Sequence, residues 1–148
     1  MSDKHESMIG IMKLYELRRE PVMRQARQWF DGFYAENFQE ILELFKTEDE
    51  RYFRMGLTYW DMAASFVNHG AIDEQMFSEI IGEHISVYAK IEPFIEDLRG
   101  LLKNPTALAN LETLVLRTPN AVEIMADLRE GAKQKQTARQ AAAVAAQK

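Results

Sequence analysis

Residues 59–77, YWDMAASFVNHGAIDEQMF, contain the end of one helix and the start of the next. Asn68-His69-Gly70 lies where an apolar helical pattern stops, and glycine commonly provides the left-handed residue that closes a helix. Three positions later, Asp73 can cap a new helix, because its carboxylate accepts hydrogen bonds from exposed backbone N–H groups. The segment therefore predicts a corner between two antiparallel helices.

The helix before this corner, predicted over residues 48–68, is apolar over most of its circumference. Two adjacent apolar stripes run along it, and its one polar strip consists of Arg51, Arg54, Thr58, Asp61, Ser65 and Asn68. A helix with this pattern typically lies at the centre of a bundle.

The helix after the corner, predicted over residues 74–102, carries a single apolar stripe with steps of three and four residues. This spacing is typical of a helix that packs along its neighbours at a shallow angle. Pro93 removes a backbone donor within the pattern and predicts a kink. The stripe consists of Phe77, Ile81, His84, Tyr88, Ile91, Ile95, Leu98 and Leu102.

The remaining sequence also predicts helices, because no stretch alternates apolar and polar residues long enough for a strand. We expect helices over residues 3–19, 21–31, 38–46, 105–117 and from 119 onward. Their predicted start signals are Pro21, the capping boxes Asn37/Glu40 and Thr47/Glu50, and the pairs Asn104-Pro105 and Thr118-Pro119. The predicted fold class is all-α: a single-domain bundle of about six or seven helices with a long kinked helix.

The chain divides by composition into a bundle domain, residues 1–130, and an Ala-rich basic helix or tail, residues 131–148. Of the net charge of -5, the tail contributes +4 and the body therefore carries -9. The tail has high helix propensity but little to bury, so we expect a frayed or projecting helix. The acidic body argues against nucleic acid as the main partner.

Composition and the first residues favour a soluble protein. The 148 residues suffice to bury a core, and cysteine is absent, which excludes disulfides and thiolate sites. The polar start MSDKHES and the charges that follow it fit neither a signal peptide nor a membrane span. We expect a cytoplasmic protein without a membrane partner.

Four side chains near the corner form the candidate ligand site: Trp60, Asp61, His69 and His84. Polar groups among aromatic side chains are the usual composition of a ligand cavity. The three polar residues also have structural explanations. A helix dipole favours His69 at a helix C-terminus, Asp61 lies on the polar strip, and His84 can be a core residue with one satisfied ring nitrogen.

The densest basic cluster is a candidate anion site and consists of Arg18, Arg19, Arg24 and Arg27. On the second helix we expect Val22, Ala26, Trp29 and Phe33 to be buried, which would leave Arg24 and Arg27 pointing outward. Glu16, Glu20 and Asp31 are interleaved with the arginines, so a solvated ion-pair surface is the favoured interpretation.

No catalytic residue, metal or cofactor is predicted. A carboxylate-bridged di-iron bundle requires Glu-x-x-His on two helices, and this motif occurs nowhere in the chain. The zinc protease, nucleophile-elbow, phosphate-loop and dinucleotide patterns are also missing.

Three segments carry a family resemblance: ELRREPVMRQAR, FVNHGAIDEQMF and VYAKIEPFIEDLR. Together they resemble small helical bacterial proteins that share a domain of unknown function. The resemblance implies a helical fold and no catalytic residues. Some of those relatives carry membrane helices before the domain, and we do not expect this feature here.

The preferred functional hypothesis is a non-enzymatic module that binds another protein or itself, such as a homodimer. The alternative is a small-molecule or metal-binding protein with a pocket near the four candidate ligand residues.

Overall fold

The computed structural model describes residues 3–147, and these residues form an all-α bundle, which confirms the predicted fold class. The helices are α1 (Lys4–Arg18), α2 (Pro21–Gly32), α3 (Phe38–Leu44), α4 (Glu50–Asn68), α5 (Glu74–Ile80), α6 (Glu83–Ile91), α7 (Ile95–Leu102), α8 (Ala109–Arg117) and α9 (Ala121–Ala146), with a 3₁₀ turn at Glu92–Phe94. Within this range, no helix has both the length and the apolar character needed to cross a membrane.

Helix α4 lies at the centre, as its sequence pattern predicts. It packs against α2 on one side and α8 on the other, while α6 packs against α8 and α9. The polar strip of α4 is exposed or half-buried. One apolar stripe is fully buried, and it consists of Phe53, Leu57, Trp60, Ala64 and Val67.

The corner between α4 and α5 forms as predicted. Gly70 has a left-handed backbone with a φ of 79°. Phe66 O accepts hydrogen bonds from the two residues after Gly70. Asp73 Oδ2 accepts a 2.9 Å hydrogen bond from Met76 N and caps α5. Ser7 Oγ accepts a 2.9 Å hydrogen bond from Asp73 N, so α1 is attached to the same corner.

The helix predicted over residues 74–102 is divided into α5, α6 and α7. The interruption expected at Pro93 is the 3₁₀ turn, and a second one at Ile81 and Gly82 was not anticipated as a break. Ile81 has extended backbone angles, with φ -117° and ψ 126°. Gly82 has low helix propensity, which favours an end at this point. The predicted stripe is still buried, except for the half-buried Leu102.

Some predicted helix starts are confirmed and others are wrong. Asn37 Oδ1 accepts a hydrogen bond from Glu40 N, as predicted. Thr47 does not cap α4, because its hydroxyl group donates to Leu44 O instead. Helix α8 begins at Ala109, four residues after the predicted start at 105, because a turn occupies the residues between them.

Helix α9 is continuous from Ala121 to Ala146, so the proposed boundary at residue 130 lies inside it. Gln136 Nε2 donates a 2.9 Å hydrogen bond to Tyr34 O and holds the middle of α9 against the bundle. Side chains over 137–147 are exposed, and Lys148 lies outside the described residues. The division of the chain into bundle and tail stays a prediction.

Candidate functional site

Glu83, the first residue of α6, binds side chains from three other helices. Arg27 of α2 donates hydrogen bonds of 3.0 Å and 2.9 Å to its two carboxylate oxygens. Trp60 Nε1 of α4 donates at 3.2 Å, and Arg18 Nη2 of α1 lies 3.6 Å from Oε1. These four residues are the Glu83 cluster, and they connect α1, α2, α4 and α6.

Charge in the Glu83 cluster is only partly balanced, because two guanidinium groups share one carboxylate. The hydrogen bond to Glu83 raises the pKa of Arg27 and keeps it charged. Arg18 lies over the Tyr15 ring at 4.7 Å and the Trp60 ring at 5.5 Å, which stabilises a cation at low hydration. Arg18 Nε is buried, and it has no hydrogen-bond acceptor within residues 3–147.

His84 follows Glu83 and lies in the apolar core. Its ring centroid is 5.1 Å from that of Phe77 and 6.0 Å from that of Trp60. Burial lowers its pKa to about 4, so the imidazole is neutral at physiological pH. Nδ1 has no hydrogen-bond partner in the described part of the chain. This environment supports the core interpretation of His84.

The structure brings together only two of the four candidate ligand residues, Trp60 and His84. Asp61 contacts α8 instead, where its Oδ1 accepts a 3.0 Å hydrogen bond from Leu111 N. It thereby caps a helix from another part of the chain. His69 is exposed at the end of α4, and its Nδ1 lies 2.8 Å from the Ser65 carbonyl oxygen.

The arginine cluster is also divided. Arg18 and Arg27 converge on Glu83, whereas Arg19 and Arg24 are exposed. The prediction that Arg27 points outward is wrong, because the buried face of α2 is centred on Met23, Ala26 and Phe30. Of the predicted stripe, Ala26 is buried, while Trp29 and Phe33 are half-buried. This register places Arg27 beside the buried face, while Val22 is exposed.

A small cavity of about 40 Å³ lies beside the Glu83 cluster. It has room for a few water molecules, whereas small-molecule sites typically enclose about 300 to 1,000 Å³. Within residues 3–147, no three His, Asp or Glu side chains are grouped so that they could hold a metal ion. The residues lining the cavity are Arg27, Phe30, Asp31, Gly56, Trp60, Glu83, Ser86, Val87 and Lys90.

Lys90 is a buried cation that the sequence interpretation missed. Its ammonium group donates hydrogen bonds to Phe30 O and Asp31 O in the last turn of α2. Carbonyl groups at a helix C-terminus lack intrahelical donors and attract cations. Burial lowers the pKa of Lys90 to about 8. The one available signal was a lysine inside the otherwise apolar run VYAKI.

The fold and the contacts of Glu83 define the class: an all-α protein with an internal ion-pair cluster. A family model described as "Domain of unknown function (DUF4760)" matches residues 6–118. The chain therefore belongs to the DUF4760 family, as the resemblance to a domain of unknown function implied. No curated protein and no solved structure matches the chain. The bacterial origin, the compartment and the partner stay predictions.

Proposed function

We propose that this DUF4760 chain is a helical interaction module that associates with a second copy of itself through the outer face of α1. The observation that carries the proposal is a group of large apolar side chains exposed together on that face. The group, which we term the α1 outer face, consists of Met8, Ile9, Met12 and Tyr15.

Helix α1 is apolar on two sides. Its inner side is buried against the bundle through Ser7, Ile11 and Leu14. The outer face follows the spacing of three and four residues between Met8, Met12 and Tyr15, so these side chains share one stripe. A stripe of this kind supports helix-to-helix association, because its burial removes apolar surface from water.

A second copy is the occupant that the charges favour. Lys13 and Glu16 beside the stripe form an ion pair at 3.3 Å, so neither side chain presents an unpaired charge to a partner. Two copies related by a two-fold axis would therefore meet without repulsion from this pair. A two-fold dimer needs one self-complementary patch, and an antiparallel pair of α1 helices provides it.

The size of the face predicts weak association. Four side chains on a helix of 15 residues cannot bury the roughly 800 Å² per partner that standard interfaces bury. We expect dissociation constants on the order of 100 µM, the range of transient contacts.

The contacts of Glu83 support a structural role for the polar cluster rather than catalysis. Its carboxylate oxygens already accept hydrogen bonds from Arg27 and Trp60, and the adjoining cavity is too small for a metabolite. A non-enzymatic module agrees with both observations.

Size-exclusion chromatography with light scattering across a concentration series tests the proposal. Met12 and Leu17 are matched positions, because they lie on different sides of α1 and are 56% and 51% exposed. We expect the wild type to increase in average mass with concentration, Met12→Glu to remain monomeric, and Leu17→Glu to behave like the wild type. A wild-type mass that stays monomeric at about 1 mM would refute self-association.

A further inference from the structure

Lys90 of α6 is a buried cation whose charge is only partly compensated. Lys90 is 7% exposed, and no carboxylate lies within ion-pair distance of it in residues 3–147. An ammonium group has three N–H donors, and two of them bind the carbonyl groups of Phe30 and Asp31. One N–H donor of this cation therefore remains available. Asp31 and Glu83 act on the ammonium group at longer range, but no described carboxylate is in direct contact with it, an arrangement that costs free energy unless a ligand compensates it.

A cleft of about 350 Å³ borders this lysine. It lies between α9 on one side and the α2–α3 connection and 3₁₀ turn on the other. Arg129 and Lys133 from α9 supply two more cations, and Tyr34, Pro93 and Phe94 supply flat apolar walls. We term this the Lys90 cleft. Its volume lies within the range of small-molecule sites.

We propose that the Lys90 cleft binds a small organic anion, in which a carboxylate or phosphate group meets Lys90, Arg129 and Lys133 while a flat apolar body lies against Tyr34 and Phe94. Charge-assisted hydrogen bonds to an anion are stronger than those between neutral groups. The anion would neutralise the buried lysine, and the ring walls would provide area for its apolar part.

Two carboxylates in the same cleft limit what it accepts. Glu36 lies 3.9 Å from Lys133, and Glu130 lines the cleft beside it. Arg129 also donates to Ala89 O and, at 3.4 Å, to Glu92. The cleft thus presents three cations and two carboxylates of its own, which favours an anion of one or two charges over a polyanion.

The family match ends at residue 118, so Lys90 lies inside it and the two α9 cations lie beyond it. The proposed site is therefore assembled from the residues that match the DUF4760 model together with a segment beyond the match.

Binding of phenyl phosphate and of benzoate, measured by calorimetry on the full chain, tests the site. Benzyl alcohol serves as the neutral control, and inorganic phosphate shows how much the ring contributes. We expect saturable binding of one or both aromatic anions and none of benzyl alcohol. Failure of both anions to bind saturably up to about 10 mM would overturn the proposal.

Two exposed lysines that each pair with a glutamate provide a matched pair of variants. Lys133 lines the Lys90 cleft, and Lys46, just after α3, does not. Lys133→Gln should weaken binding about fivefold, whereas Lys46→Gln should change it less than twofold. Equal weakening by both variants would show general attraction to a basic surface and contradict a defined site. Lys90→Met, if it folds, should abolish binding.

The side-chain signal of Lys90 in NMR gives a second readout. Burial lowers the pKa of Lys90 to about 8. The positive charges of Lys135 and Arg139 on α9 also lower it, whereas the carboxylates of Asp31 on α2 and Glu83 on α6 raise it. A bound anion favours the ammonium form, so saturating phenyl phosphate should raise this pKa. An unchanged pKa at saturation would place the anion elsewhere and refute the assignment.

Discussion

Arg27 and Glu83, 56 positions apart in the chain, are joined by two parallel hydrogen bonds of 2.9 Å and 3.0 Å. The pair connects α2 to the start of α6, and Trp60 and Arg18 attach α4 and α1 to the same carboxylate. A bidentate pair fixes orientation as well as distance, so this contact sets how α2 and α6 meet.

Replacement of Glu83 by glutamine should destabilise the fold. The variant leaves two partly buried guanidinium groups without their counter-ion, and we expect the free energy of unfolding to fall by about 2 kcal/mol. Urea denaturation followed by tryptophan fluorescence measures it. Glu79→Gln is the control, because Glu79 is exposed and, within residues 3–147, its hydrogen-bond partner is Gln75 of its own helix. Equal effects of the two variants would contradict the role given to Glu83.

Asp61 should act as the cap of α8. Asp61→Ala removes the acceptor of the Leu111 N–H group, and the expected loss of stability is about 1 to 2 kcal/mol, typical of a lost cap. Asn104→Ala tests the residue that the sequence suggested as the cap. We expect it to cost less than about 0.5 kcal/mol, because its exposed contact to Thr106 only shapes a turn. The reverse order of the two losses would contradict this assignment.

The sequence predicts the features that depend on neighbouring residues in the chain, and it does not predict the roles of Asp61 and Glu83. The α4 pattern and the Gly70–Asp73 corner depend on neighbours in the chain, and both predictions are confirmed. Asp61 binds Leu111, 50 positions away, and Glu83 binds Arg27, 56 positions away, so no local pattern encodes either role. The inward position of Arg27 was missed because the buried face of α2 is rotated from the predicted one toward Met23 and Phe30, and this rotation brings Arg27 to Glu83.

His84 should make stability depend on pH. Burial lowers its pKa from 6.5 to about 4, so the unfolded chain binds a proton in this range before the folded chain does. Its contribution is therefore complete above pH 6.5 and is lost as the pH falls from 6.5 to 4, by about 3 kcal/mol in total. Urea denaturation at a series of pH values measures this slope. His84→Leu should flatten it, and an unchanged slope in that variant would contradict the buried neutral imidazole.

Truncation of α9 at two positions should show which part of this helix stabilises the fold. A chain that ends at Gln140 loses residues 141–147, which are exposed, and Lys148, which lies outside the described residues, so its stability should stay within about 0.5 kcal/mol of the wild type. A chain that ends at Leu128 also loses the contacts of Arg129 and Gln136 with the bundle, and we expect a loss of about 2 kcal/mol or more. Thermal and urea denaturation compare the two. A large loss in the longer chain would show that the projecting part contributes to the fold.

Methyl NMR of the methionines tests the central claim, self-association through α1, most directly. Met8 and Met12 lie on the α1 outer face, while Met23 and Met125 are buried elsewhere. Between about 10 µM and 1 mM, the range expected for a weak dimer, the methyl signals of Met8 and Met12 should shift with concentration and those of Met23 and Met125 should not. Signals of Met8 and Met12 that stay constant across this range would contradict the proposed function.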